Sequence, residues 1–192
     1  MDHDHRGRRG PDPYALTRAV PYWDGGSGRF ACPDTTRQRV LGTGAMVAAT
    51  SGPETAGPAL QVARADAQGV LTRAQAHERP AGWSADWQLY GYAVCADRPA
   101  GYEVRTGASP AGPDRFKAAT ASCSDGTRLV SRGGAVSNVA PGNVALTALN
   151  YAYPDVDATR AEASWNSPVD SAHRPAPVDW DFIVAQAICV AR

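Results

Sequence analysis

The chain is poor in the residues that carry most charge-driven and catalytic chemistry. Lys117 is the one lysine among 19 Lys and Arg residues, and only four histidines occur in 192 residues. Formal net charge is zero, so the chain as a whole exerts no pull on nucleic acid or anionic lipid. No run approaches the ~20 apolar residues that span a bilayer. The first ten residues, Met1 to Gly10, are polar and charged. If exported, such a sequence is a mature form or begins downstream of its true start. There is no C-x-x-C, which argues against a zinc or redox motif. There is no Gly-rich phosphate loop, no G-x-S-x-G and no basic-aromatic stripe. The 15 prolines recur along the whole length and exclude long helices.

What is present points to strands. Hydrophobic residues make up 43%, enough for a core. Gln88, Tyr90, Tyr92 and Val94 alternate with Trp87, Leu89, Gly91 and Ala93, a period of two. Val144 to Leu149 alternates as well. Turn residues punctuate the chain at intervals of roughly ten, as a sandwich or barrel needs. The Ala-rich stretch Gln61 to Ala67 is expected to form one short helical turn.

One unit is written twice, over 32–96 and 123–190. Each copy opens with a cysteine and an Asp-containing turn, Cys32-Pro33-Asp34 and Cys123-Ser124-Asp125-Gly126. Each runs into a short apolar strand, then a matched middle, Thr72-Arg73-Ala74-Gln75-Ala76 against Thr159-Arg160-Ala161-Glu162-Ala163. Each closes on a Trp-led strand, Trp87 to Cys95 and Trp180 to Cys189. The second is one residue longer, which a β-bulge in it would absorb. Four cysteines allow three pairings. If each copy closes its own disulfide, the pairs are Cys32–Cys95 and Cys123–Cys189; spacing alone leaves crossed pairing open. The expected fold is all-β: two pseudo-symmetric Cys-bounded repeats (32–96 and 123–192) packed as a sandwich-like domain. A linker at 97–122 joins them, with a strand near Tyr102-Glu103-Val104 and an exposed loop at 107–114.

Residues 1–31 lie outside both copies and read as a flexible N-terminal extension. Met1 to Pro13 has the composition of a disordered segment. Tyr14, Ala15, Leu16, Thr17, Arg18, Ala19, Val20, Pro21, Tyr22, Trp23, Asp24, Gly25 and Gly26 form its apolar part, leading into a hinge at Gly25-Gly26-Ser27-Gly28. Such a segment packs on its own domain or on a partner, and Trp and Tyr are the residue types that anchor interfaces.

The catalytic signals are weak. His3 and His5 sit in the polar terminus, and His77 and His173 lie near Pro-containing loops. Asp2-His3-Asp4-His5 looks like a metal clamp with nothing to fix its geometry, and Asp155-Val156-Asp157 is too short for a calcium loop. In Asp179-Trp180-Asp181 the tryptophan and the carboxylates point to opposite faces of a strand. The expectation is a secreted, non-enzymatic binding protein without cofactor or metal. Trp83 and Trp165, next to loops, are the candidates if it binds carbohydrate or a cell surface.

The pattern Cys, turn, Val40-Leu41-Gly42-Thr43-Gly44-Ala45, then Trp87-x-Leu89-x-x-Tyr92-Ala93-Val94-Cys95-Ala96, resembles repeats in small secreted proteins of filamentous soil bacteria. With the duplicated unit and the apolar extension, the chain resembles the adaptor subunit of umbrella toxin particles. The resemblance covers about 32–192 for the repeat and 14–30 for the extension. It implies a protein that joins a large Ala-Leu-Phe-repeat toxin subunit to a lectin-bearing subunit with a trypsin-like domain, in an antibacterial complex. It further implies that the extension docks in the cleft of that domain. Copy two departs from the pattern, with Arg132 in place of Gly42 and Gln186 or Ala187 in place of Tyr92.

Overall fold

A computed structural model of the chain describes residues 14–22, 25–49, 58–77, 87–112, 116–139, 147–154, 158–165 and 180–192. Among them are twelve β-strands and no helix, so the all-β expectation holds. The first six strands are β1 (Tyr14–Tyr22), β2 (Gly25–Ala31), β3 (Gln38–Ala49), β4 (Ala59–Ala65), β5 (Leu71–His77) and β6 (Trp87–Asp97). The second six are β7 (Glu103–Ala108), β8 (Phe116–Ser122), β9 (Thr127–Val139), β10 (Thr147–Pro154), β11 (Ala158–Trp165) and β12 (Trp180–Ala191). The predicted period of two in β6 is realised: Trp87, Leu89, Gly91, Ala93 and Cys95 are buried, and the residues between them reach outward.

One pairing scheme runs twice. In the first half β6 lies between β1 and β3, and β5 lies between β2 and β4. In the second half β12 lies between β7 and β9, and β11 lies between β8 and β10. Each scheme takes in two strands ahead of the first cysteine of its half. The sheets are β1-β6-β3, β10-β11-β8 and a continuous β2-β5-β4-β9-β12-β7. Irregularities recur in matched places too. Leu41 of β3 is skipped against β6, and Val130 of β9 against β12. Gln61 of β4 is skipped against β5, and Asn150 of β10 against β11. The bulge expected in the longer Trp-led strand is therefore elsewhere: both first strands carry one, beside the residue facing the cysteine.

Three further expectations are corrected. Gln61 to Ala65 is strand rather than helical turn, because β5 and β9 pair with β4 from its two sides and leave no room for a helical coil. The segment Gly25-Gly26-Ser27-Gly28 is the opening of β2, held in register against β5. The loop after β7 is not wholly exposed. Ser109 is buried: its N–H donates to Ile183 O at 3.0 Å, and its Oγ accepts from Ile183 N–H at 3.1 Å.

The disulfides pair as the repeat implied, Cys32–Cys95 and Cys123–Cys189. Each closes a loop of 63 or 66 residues, a constraint on the unfolded chain of about 4 kcal/mol in the chain-entropy account. Two cores surround them. In the first, Phe30 of β2 packs with Val40, Ala65, Ala74, Trp87, Leu89 and Ile188. Gly91 makes room for it, since a Cβ there would lie 1.9 Å from the Phe30 ring. In the second, Ala119 and Ala121 of β8 pack against Ile183, Ala185 and Ala187 of β12.

The two cysteine turns are capped by acids. Asp34 accepts from the Thr36 N–H and hydroxyl and from the Arg37 N–H. In the second half the acid comes from β7: Glu103 accepts from the Ser124 N–H (2.8 Å), the Ser124 hydroxyl (2.9 Å) and the Thr127 hydroxyl (2.9 Å). Burial acts to raise the Glu103 carboxyl, and these hydrogen bonds with the Arg105 charge outweigh it, so its pKa lies below the ordinary value.

The halves meet along a short seam. Only Val62↔Ala135 and Ala63↔Gly134 pair across β4 and β9. Beyond them the side chain of Gln186, 2% exposed, takes over. Its Oε1 accepts from Ala65 N–H at 2.7 Å and its Nε2 donates to Ala65 O at 2.9 Å. The Gly133 backbone lies against Ala63 and Arg64, where a Cβ would fall within 3.0 Å of both. Tyr102 ties the linker to the first half through a 3.0 Å hydrogen bond to Val40 O. Burial, with Asp66 nearby, pushes its hydroxyl up to about 12.

Two outcomes are expected. Gln186→Leu strands a buried donor and acceptor of Ala65 and lowers unfolding free energy by about 2–4 kcal/mol in denaturant titration. For Glu103 the folded carboxyl is the stronger acid, so its contribution is full above the ordinary carboxylate range and is lost as pH falls through the lowered folded value. The stability difference between wild type and Glu103→Gln, followed by thermal melts from pH 7 to pH 3, accordingly shrinks toward zero at the acid end.

Candidate partner-binding face

The site is built on β6. Because side chains alternate, burying Trp87, Leu89 and Ala93 obliges Gln88, Tyr90, Tyr92 and Val94 to the other face. Register places Ala48, Met46, Gly44 and Gly42 of β3 directly opposite them. On the other side register places Pro21, Ala19, Thr17 and Ala15 of β1. Met46 is 47% exposed and Val94 36%, while Tyr90 and Tyr92 are half-buried. The glycines keep the strip low: a Cβ at Gly44 would touch the Tyr92 ring at 3.8 Å, and one at Gly42 would meet Val94 at 3.1 Å. The Tyr90 hydroxyl donates to the Gln88 side chain, so the ring edge is held in place. From Gln88 to Val94 the described side chains of this face are largely apolar and aromatic and carry no charge, and Arg39, opposite Ala96, marks its end.

The corresponding positions of the second half are occupied. Counted back from the disulfide cysteine, Tyr90, Tyr92 and Val94 match Val184, Gln186 and Ile188. All three are buried, Val184 with Val62 of β4, Gln186 on Ala65, and Ile188 in the core of the first half. The same register equates Gly42 with Ser131 and Gly44 with Gly133, rather than Gly42 with Arg132. The face of β12 that carries Val184, Gln186 and Ile188 is thus turned inward to form the seam.

The other residues singled out in the sequence fall as follows. Tyr14, Ala15, Leu16, Thr17, Arg18, Ala19, Val20, Pro21 and Tyr22 are β1, an edge strand whose backbone pairs with β6. Gly25 and Gly26 open β2 opposite His77 and Ala76. Trp23, Asp24, Trp83, Asp155, Asp157, His3, His5 and His173 lie outside the described residues. Trp165 ends β11 opposite Thr147. Trp87 is 2% exposed and belongs to the core, as its strand position implied. His77 stands on β5 with its Nε2 2.7 Å from Gln75 Nε2, and burial pushes its pKa down. Among the described residues no three His, Cys, Asp or Glu side chains gather closely enough to hold a metal ion. No helix of the described residues is long and apolar enough to cross a membrane. The β6 face itself was legible in the period of two. That it stays open, while its counterpart closes, was not.

An open face tolerates change that a seam does not. Met46→Gln and Val94→Thr should each shift unfolding free energy by less than about 0.5 kcal/mol in denaturant titration. No protein-family model matches the chain, and no curated protein matches it in sequence.

Proposed function

We propose that the chain is a secreted, non-enzymatic adaptor that joins two other proteins in an extracellular antibacterial complex of the umbrella toxin type. The observation that carries this reading is the open β6 face. The half-buried Tyr90 and Tyr92 with exposed Met46 and Val94 form a patch of the composition found at the centres of protein interfaces. The second half seals the same face against protein, which supports protein as the cover for the first. Two disulfides fit an oxidising compartment.

The second contact is assigned to the N-terminal segment Tyr14 to Gly26, docking in a partner's cleft. As an edge strand, β1 can exchange its pairing with β6 for a partner without opening the core. Phe30 sets the limit of what is removable, since it is 4% exposed within the first core. The proposed partners are the lectin-bearing subunit with a trypsin-like domain and the large Ala-Leu-Phe-repeat subunit.

The test is affinity purification of the tagged chain from its native culture medium, with mass spectrometry of what co-purifies. Both a repeat-rich protein and a lectin-bearing protein are expected. Removal of residues 1–22 should lose one of them with the fold retained, and Tyr92→Arg with Met46→Arg should lose the other. Recovery of the chain alone contradicts the adaptor reading.

A further inference from the structure

A row of three arginines crosses the six-stranded sheet, and none of the three makes an ion pair with a described residue. Arg29 of β2 stands opposite Arg73 of β5, and Arg73 stands opposite Arg64 of β4. Their chain neighbours Phe30, Thr72 and Ala65 are buried on one face of the sheet, so all three arginines project from the other. Strands lie about 4.8 Å apart, which puts three guanidinium stems within about 10 Å. Like charges directly opposite one another on a sheet are unfavourable. No ion pair with a described residue relieves them, although Asp66 lines the same cavity as the three arginines. Asp66 is the acid nearest in sequence, but its Oδ1 is turned into its own loop, accepting from Val70 N–H at 2.8 Å and Leu71 N–H at 3.2 Å. Arg64 feels the strain most: burial and then the charge of Arg73 push its pKa down.

The row lines a cavity of about 490 Å³. Leu71, Ala65 and Ala67 supply an apolar wall, Asp66 is the one acid of the lining, and Thr106 of β7 and Gln186 of β12 close the far side. The cavity therefore straddles the seam, and the Gln186 clamp that joins the halves is also part of its lining. Its volume falls within the range of small-molecule sites.

We propose that this cavity binds a phosphate group. With Asp66 in the lining, the three arginines leave two positive charges in excess, and a carboxylate answers only one of them. A phosphate monoester carries nearly two, and its oxygens match the planar fork of a guanidinium in bidentate pairs. The space beyond one phosphate, with its apolar wall and the Thr106 hydroxyl, suits a small polyol or sugar carrying that phosphate. This binding is independent of the adaptor role, because the arginine row and the open β6 face lie on different sheets.

The test uses the full chain with its disulfides intact, at constant ionic strength, by isothermal titration and thermal melts. Inorganic phosphate and glycerol 3-phosphate are the probes, with acetate and chloride as controls. Both phosphates should bind saturably and raise the melting temperature, and acetate should not. Binding of glycerol 3-phosphate about fivefold or more tighter assigns a phosphate ester as the occupant, and equal binding assigns the free ion. Arg73→Gln, at the centre of the row, should weaken phosphate about tenfold or more. It should leave the unliganded protein as stable as wild type or more so, because a repelling charge is gone. Arg64→Gln should behave in the same way. Identical behaviour in phosphate and chloride, equal binding of acetate, or variants that lose stability without changing the phosphate response would each overturn the proposal.

Discussion

The structure depends on the seam that joins its halves. Two paired residues on each of β4 and β9 bring the strands together, and then the backbone ladder stops. At the next position an amide side chain, Gln186, does what a neighbouring strand would do, accepting from and donating to the same residue, Ala65. A buried amide is costly unless fully bonded, and here both of its ends are used. This substitution makes one six-stranded sheet from two three-stranded ones. It also fixes which surfaces of the molecule are covered and which remain open.

From one pairing scheme come two unlike halves. The strand position held by Tyr92 in the first half is held by Gln186 in the second. One looks outward from a three-stranded sheet; the other is spent on the seam. If both halves had kept the tyrosine, the second face would carry a bulky ring where Ala65 now bonds, and the sheet could not run through. If both had the glutamine, the first half would present a polar face with little to offer an apolar partner. The arginine row follows from the same geometry. It lies on β2, β5 and β4, and the end of β4 that Gln186 holds is where the cavity opens.

Much of this was legible in residue order, and the remainder was hidden for physical reasons. The period of two in β6 and the Trp-led strands come from local pattern, whereas the disulfide pairing was reached only by reading the chain as two copies of one unit. The membership of β2 in the first half was not visible, because Gly25-Gly26-Ser27-Gly28 has the composition of a hinge. Only pairing with β5, with Phe30 inserted over Gly91, makes it a strand. Gln61 to Ala67 looked helical because alanine favours helices, and the tertiary pairing of Gln61 to Ala65 in β4 overrode that preference. Gln186 sits in an otherwise apolar run with no local sign that it would bond a residue 121 positions away. The alignment of Arg29, Arg73 and Arg64 depends on registers of β2, β4 and β5 that no single-strand pattern contains.

The central claim is that the seam makes the two halves one cooperative structure. Native-state hydrogen exchange of the disulfide-intact chain tests it most directly, by following the Ala65 amide beside amides in the centres of β6 and β12. The account predicts that Ala65, bonded to Gln186 rather than to a strand, exchanges only through the same global opening as those two strands. An Ala65 amide that exchanges as fast as the turn at Ala67–Gln68, or β6 and β12 opening with separate free energies, would contradict it.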